Sequence, residues 1–178
     1  ISGDGNTLLY NPNSSDNNTL YVSLWTGSSW SFTGSISRTS SAGNPSVNYN
    51  GEYFITEDSA TNKLYQYSTP GSTGGSWSLI KTYNVVSTWY NTCHVAQNTT
   101  NPLRYITTDY NSTTYATSGD SISPLIRVFD YDGSSHTQVG GDFYSHPNAS
   151  TLGYNNTNRF RKLQISDDGN ILVIGSNL

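Results

Sequence analysis

Methionine is absent from this chain, and cysteine occurs once, as Cys93. A single thiol closes no internal disulfide and builds no thiolate metal cluster. Next to His94 it invites a nucleophile reading, but a small buried strand residue fits it better, since thiolate chemistry needs a base placed by the fold. Charge is scarce: 11% of the 178 residues are Asp, Glu, Lys or Arg, with a net charge of -4. The few Lys and Arg are scattered, so no basic stripe exists for nucleic acid. No apolar run approaches the roughly 18 residues of a membrane-spanning helix. No glycine-rich phosphate loop and no convincing helix are legible, and none of these residues is expected to be a signal peptide. The chain opens on Ile1 in mid-pattern, so it is expected to be a processed or partial piece of something longer.

Catalytic groups are scarce as well. The two glutamates, Glu52 and Glu57, stand an odd number of residues apart, on opposite faces of a regular strand. His94, His136 and His146 lack ligand spacing. No acid-base pair, metal set or cofactor motif is legible, so no cofactor is expected.

What is present is aromatic and turn-forming. Aromatics reach 13%, including 14 Tyr and 4 Trp, alongside 16 Gly and abundant Ser, Thr and Asn. Tyr, Trp, Val, Ile and Thr suit strands; Asn and Gly suit tight turns. The length is enough for one domain with a sizeable core. An all-β protein is the expectation.

Two phrases recur in order. The first is "ISGDGNTLLY" at the start and "QISDDGNILVIG" near the end, with "PSVNYNGEYFITED" (45–58) and, more weakly, "CHVAQNTTNPLRYITTD" (93–109) between them. The steps are about 46, 48 and 70 residues. The second phrase is "LYVSLWTGSSWSFTGSI" (20–36), then "KLYQYSTPGSTGGSWSLIKTY" (63–83), then "LIRVFDYDGSSHTQVGGDF" (125–143). Trp30, Trp77 and His136 hold one equivalent place in it. Each unit therefore has four short strands, with strand two the most apolar and near the middle of its sheet. Strand three alternates, with Tyr21, Ser23 and Trp25 against Leu20, Val22 and Leu24. Four antiparallel strands repeating every 45–50 or so residues are a β-propeller blade. The expected blades are 1–40, 41–88, 89–145 and an incomplete 146–178, all in one partial propeller domain: about three blades and the start of a fourth.

"IRVFDYDGSSHTQVGGDF" followed by "KLQISDDGNILVIGSN" resembles the FG-GAP-like repeats of large extracellular propeller proteins. The match is good over 125–178, clear over 1–40, recognisable over 45–83 and poor over 84–120. The resemblance implies a propeller module of a cell-surface, adhesive or structural protein. The calcium loop of integrin-type members is not reproduced. Asp130, Asp132 and Gly133 approach it, but Val128 stands where a further ligand is needed, so the segment reads as a turn. Asp4, Asp167 and Asp168 likewise read as turn-formers. The Ser-x-Asp-x-Gly-x-x-Trp motif of sialidase-type propellers is not matched.

The functional expectation is a non-enzymatic extracellular structural or adhesive glycoprotein module, such as a block of a cell-surface filament or appendage. Its expected partners are other protein subunits or other parts of a longer chain, with glycans besides. Glycan acceptors are Asn13, Asn17, Asn98, Asn111, Asn148 and Asn155. Their number is what so Asn-, Ser- and Thr-rich a chain yields by chance, so the extracellular expectation rests more on the scarcity of Lys and Glu. The alternatives are a lectin-like propeller, with Trp25, Trp89 and Tyr90 as candidate sugar-stacking aromatics, and a propeller-borne hydrolase. Packing between blades competes with stacking as the role of those aromatics.

Overall fold

The computed structural model describes residues 1–11, 18–39, 45–58, 61–68, 74–84, 93–97, 102–109, 125–144 and 160–176. Among these the regular structure is all strand, in antiparallel sheets that follow one another along the chain. The first sheet is β1 (Thr7–Tyr10), β2 (Thr19–Trp25) and β3 (Trp30–Ser37). The second is β4 (Ser46–Val47), β5 (Tyr53–Asp58), β6 (Thr61–Tyr67) and β7 (Trp77–Asn84). The third is β8 (Cys93–Val95), β9 (Leu103–Asp109), β10 (Leu125–Tyr131) and β11 (His136–Tyr144). The fourth is β12 (Phe160–Ile165) with β13 (Leu172–Ser176). This is a partial β-propeller, and its apolar second strands, β5 and β9, are paired on both sides.

The recurrent first phrase is a turn of fixed construction. Ser2 Oγ donates to Asp4 Oδ1 (2.6 Å) and accepts from the Thr7 amide (2.8 Å). The Asn6 amide and side chain both donate to Asp4. Ser166, Asp168, Asn170 and Ile171 repeat the four bonds at 2.5, 2.9, 3.1 and 3.0 Å. Gly5 and Gly169 have φ of 75° and 76°, and Gly51, in the second sheet's turn, has 71°. That left-handed region favours glycine. In that turn Asn48 replaces the serine, and its Oδ1 takes the Tyr53 amide at 2.9 Å.

Alternation along the strands gives each sheet two faces, and adjacent sheets bury them against each other. Leu9, Leu20, Val22 and Ile36 of the first sheet meet Val47, Phe54 and Tyr65 of the second. Tyr53, Ile55, Leu64 and Tyr83 of the second meet Val95, Leu103, Tyr105 and Tyr131 of the third. Ile106, Ile126 and Val128 of the third meet Leu163 and Ile165 of the fourth. Polar ties cross the same seams: Asn62 Nδ2 donates to Thr107 and Thr108, and Arg104 donates to the Gly169 carbonyl. Near the β5–β6 hairpin, the Asp58 carboxylate is fully buried between Lys63 and Thr39. Burial acts to raise its pKa, but the hydrogen bonds from Lys63 and Thr39 hold it below the usual carboxylate value. No helix among the described residues is long and apolar enough to cross a membrane.

Candidate functional site

The second phrase contains a repeated hairpin closure. Trp25 pairs with Trp30, Tyr67 with Trp77, and Tyr131 with His136, each across the turn between a sheet's last two strands. The rings touch in every case, at centroid distances of 5.6, 4.8 and 4.5 Å. His136 thus sits where its two equivalents are tryptophan, stacked on Tyr131 at an interplanar angle of 19°.

Unlike a hydrocarbon, it has ring nitrogens to place. Tyr105, one strand further in on β9, lies edge-on to it, and Tyr105 Oη is 2.7 Å from His136 Nδ1. Tyr105 Oη is in turn 2.5 Å from Tyr83 Oη, on β7 of the neighbouring sheet. Phe129 packs against both tyrosine rings. Burial, then the neighbouring Tyr83, drives the Tyr105 phenol far above its usual pKa, so it stays protonated. Burial, then the charge of Lys81, lowers the pKa of His136, while Asp132 acts the other way. His136 is neutral at neutral pH, and it is half-exposed.

The cluster continues into the second sheet. Tyr131 meets the edge of Tyr53 at 6.1 Å. Gln66 Nε2 donates to Tyr53 Oη (2.8 Å) and to Glu52 Oε1 (3.0 Å). Burial, then the Glu52 charge, pushes the Tyr53 phenol well above its usual range. The seam between the second and third sheets therefore gathers one half-exposed imidazole, a carboxylate, an amide and four phenols. Such a set can accept a proton and bind hydroxyl groups.

The other sequence candidates fall elsewhere. Asp132 takes the Ser134 and Ser135 amides and hydroxyls, and Asp130 forms a two-bond pair with Arg104. Asp4 and Asp168 are held inside their turns. Among the described residues, no group of three or more His, Cys, Asp or Glu side chains is placed to hold a metal ion. Cys93 is buried, and burial keeps its thiol protonated. His94 faces the field of Asp167 on the other side of the third sheet, away from His136. Glu52 accepts from Gln66 and the charge of Glu57 acts on Cys93, both in the seam between the second and third sheets, so the odd spacing does not send the two glutamates to different seams. Trp25 and Trp30 are 40% and 41% exposed, so packing does not consume them. Trp89, Tyr90, His146 and the acceptors Asn13, Asn17, Asn98, Asn111, Asn148 and Asn155 lie outside the described residues. The sequence placed His136 correctly at a strand start but gave it only a packing role. The exchange of Trp for His at a repeated position is the signal that marks it.

No protein-family model matches the chain, and no curated protein matches it. Among solved structures it is similar to a Bacteroides fragilis protein described as a candidate 6-phosphogluconolactonase, with a TM-score of 0.56 and 14% identity. The likeness covers 98% of this chain and 45% of that one, so the chain spans less than half the length of its structural neighbour. At this identity the likeness establishes the fold. It also corrects the expectation of a non-enzymatic structural or adhesive module. That expectation rests on the absence of a legible acid-base pair, metal set or nucleophile in the sequence. A fold of this kind is carried by a protein described as a candidate 6-phosphogluconolactonase, so the propeller itself is no argument against an enzyme.

Proposed function

We propose that this chain forms part of a propeller hydrolase that opens an ester bond, in the form of a lactone, in a polyhydroxylated compound. The observation that carries the reading is His136: neutral, half-exposed, and tied through Nδ1 to a buried phenol. With the proton on Nδ1, the free lone pair is on Nε2. Water attacks the acyl carbon as Nε2 takes its proton. The ring C–O bond then breaks, and the leaving oxygen receives that proton from the imidazolium. Glu52 supplies carboxylate oxygens suited to accept from substrate hydroxyls in the same seam, held in place by the Gln66 amide, whose two protons go to Glu52 and Tyr53. The described lactonase fold of the structural neighbour supports the reaction class.

The setting proposed with it is extracellular, supported by the scarcity of Lys and Glu, with the six Asn acceptors as the places where glycans would attach. FG-GAP-like repeats are the repeat class that the phrases best support, with further parts of a longer chain and glycans as partners. Acid release from a panel of sugar lactones, 6-phosphogluconolactone included, tests the activity. His136→Gln is expected to lower kcat/KM by about 100-fold or more with the fold intact. Absence of turnover across the panel, or full activity in the variant, would overturn the assignment.

A further inference from the structure

The two hydrogen bonds joining Tyr83, Tyr105 and His136 can be oriented in only two self-consistent ways. Tyr105 Oη has one proton, and its two neighbours are Tyr83 Oη at 2.5 Å and His136 Nδ1 at 2.7 Å. If Tyr105 donates to His136, the imidazole carries its proton on Nε2, which is then a donor. If Tyr105 donates to Tyr83, His136 donates from Nδ1, and Nε2 is a base. Tyr105 is fully buried, so its proton must go to one partner or the other. The geometry allows both orientations, and only the second leaves His136 a free basic nitrogen, as the hydrolase reading requires. On that ground we infer that Tyr83 is a positioning residue whose phenol oxygen takes the Tyr105 proton and so sets the His136 tautomer.

The choice of orientation rests on the hydrolase reading, but the tautomer can be observed without a substrate. Tyr83 never touches the reacting atoms. It acts from the adjacent sheet, so the seam between two blades controls the chemistry of one residue. Tyr83→Phe keeps the ring that packs on Phe129 and removes the oxygen. Tyr105 then has one acceptor left, His136 Nδ1, and must turn its proton toward it. Tyr105→Phe removes both bonds and leaves Nδ1 without a fixed partner.

The test is nitrogen NMR of the protein labelled in its histidines, at about pH 7.5, with the His136 signals identified by their loss in His136→Gln. The expected result is a protonated Nδ1 in the wild type, an inverted pattern with protonated Nε2 in Tyr83→Phe, and a mixed pattern in Tyr105→Phe. In the lactone assay Tyr83→Phe should lose at least about tenfold in kcat. A wild type already protonated on Nε2, or the same tautomer in wild type and Tyr83→Phe, would overturn the inference. An inverted tautomer without turnover in any form would leave the positioning role standing and remove the hydrolase reading instead.

Discussion

Trp77 and His136 occupy the same step of two equivalent hairpins, each the first residue of its strand and each opposite a tyrosine. Trp77 packs its rings on Phe54 at 4.7 Å and on Tyr67 at 4.8 Å. Its Nε1 is buried without a partner, so its contribution is area and shape. His136 keeps the stack on its tyrosine, at 4.5 Å, and spends a nitrogen on Tyr105. A repeated architecture supplies the same place several times over. Once packing at one copy is secure, another can be exchanged for chemistry at little cost to the fold.

The sharpest way to break this comparison is to truncate both residues. Trp77→Ala should cost about 3 kcal/mol of stability, because it empties the seam between the first and second sheets. His136→Ala removes a half-exposed ring and should cost far less, while abolishing the activity proposed for it. Urea unfolding of the two variants side by side decides the matter. Equal losses would mean that both rings serve packing alone.

The turns offer a second pairing within the same repeat. Gly5 and Gly51 share a left-handed backbone, at φ 75° and 71°, in equivalent turns. A Cβ on Gly5 would meet nothing within 4 Å, whereas one on Gly51 would lie 1.9 Å from Thr7 Oγ1 of the neighbouring sheet. Gly5→Ala should therefore cost about 1 kcal/mol, for the backbone alone. Gly51→Ala should cost about 2–4 kcal/mol, because the second sheet must also move off the first. Equal midpoints in chemical denaturation would contradict the close approach of the two sheets.

These pairings also show what the residues disclosed in one dimension. The Ser-x-Asp-Gly-Asn turns and the equivalence of Trp30, Trp77 and His136 were legible because local hydrogen bonds and hairpin register leave a periodic trace. The Tyr83–Tyr105–His136 line was not. Its members are 22 and 31 residues apart, on strands of two sheets, and alternation tells which face a side chain takes but not which neighbour it meets. The expectation of a non-enzymatic module is overturned by the structural neighbour and not by these contacts, which a search for acids and bases along the chain does not reveal.

The smallest expected effect comes from the two described histidines under mild acid. Burial, first of all, lowers the pKa of each. Asp167 opposes this at His94, and Asp132 opposes it at His136. The unfolded chain therefore takes up these protons before the folded one does. The stability contributed by each neutral imidazole is complete above the unfolded value near 6.5, and it is lost as pH falls through the lower folded value. The carboxylate bonds of Asp58 and Asp142, which hold their pKa values below the usual range, fail only below about pH 4, so the window from pH 7 to 5 isolates the histidines. The two then separate by their surroundings. His94 Nδ1 is buried without a partner, whereas His136 Nδ1 is held by Tyr105. His94→Asn should flatten the decline of unfolding free energy across that window more than His136→Asn does. A decline that is identical in the wild type and both variants would assign it to groups other than these two rings.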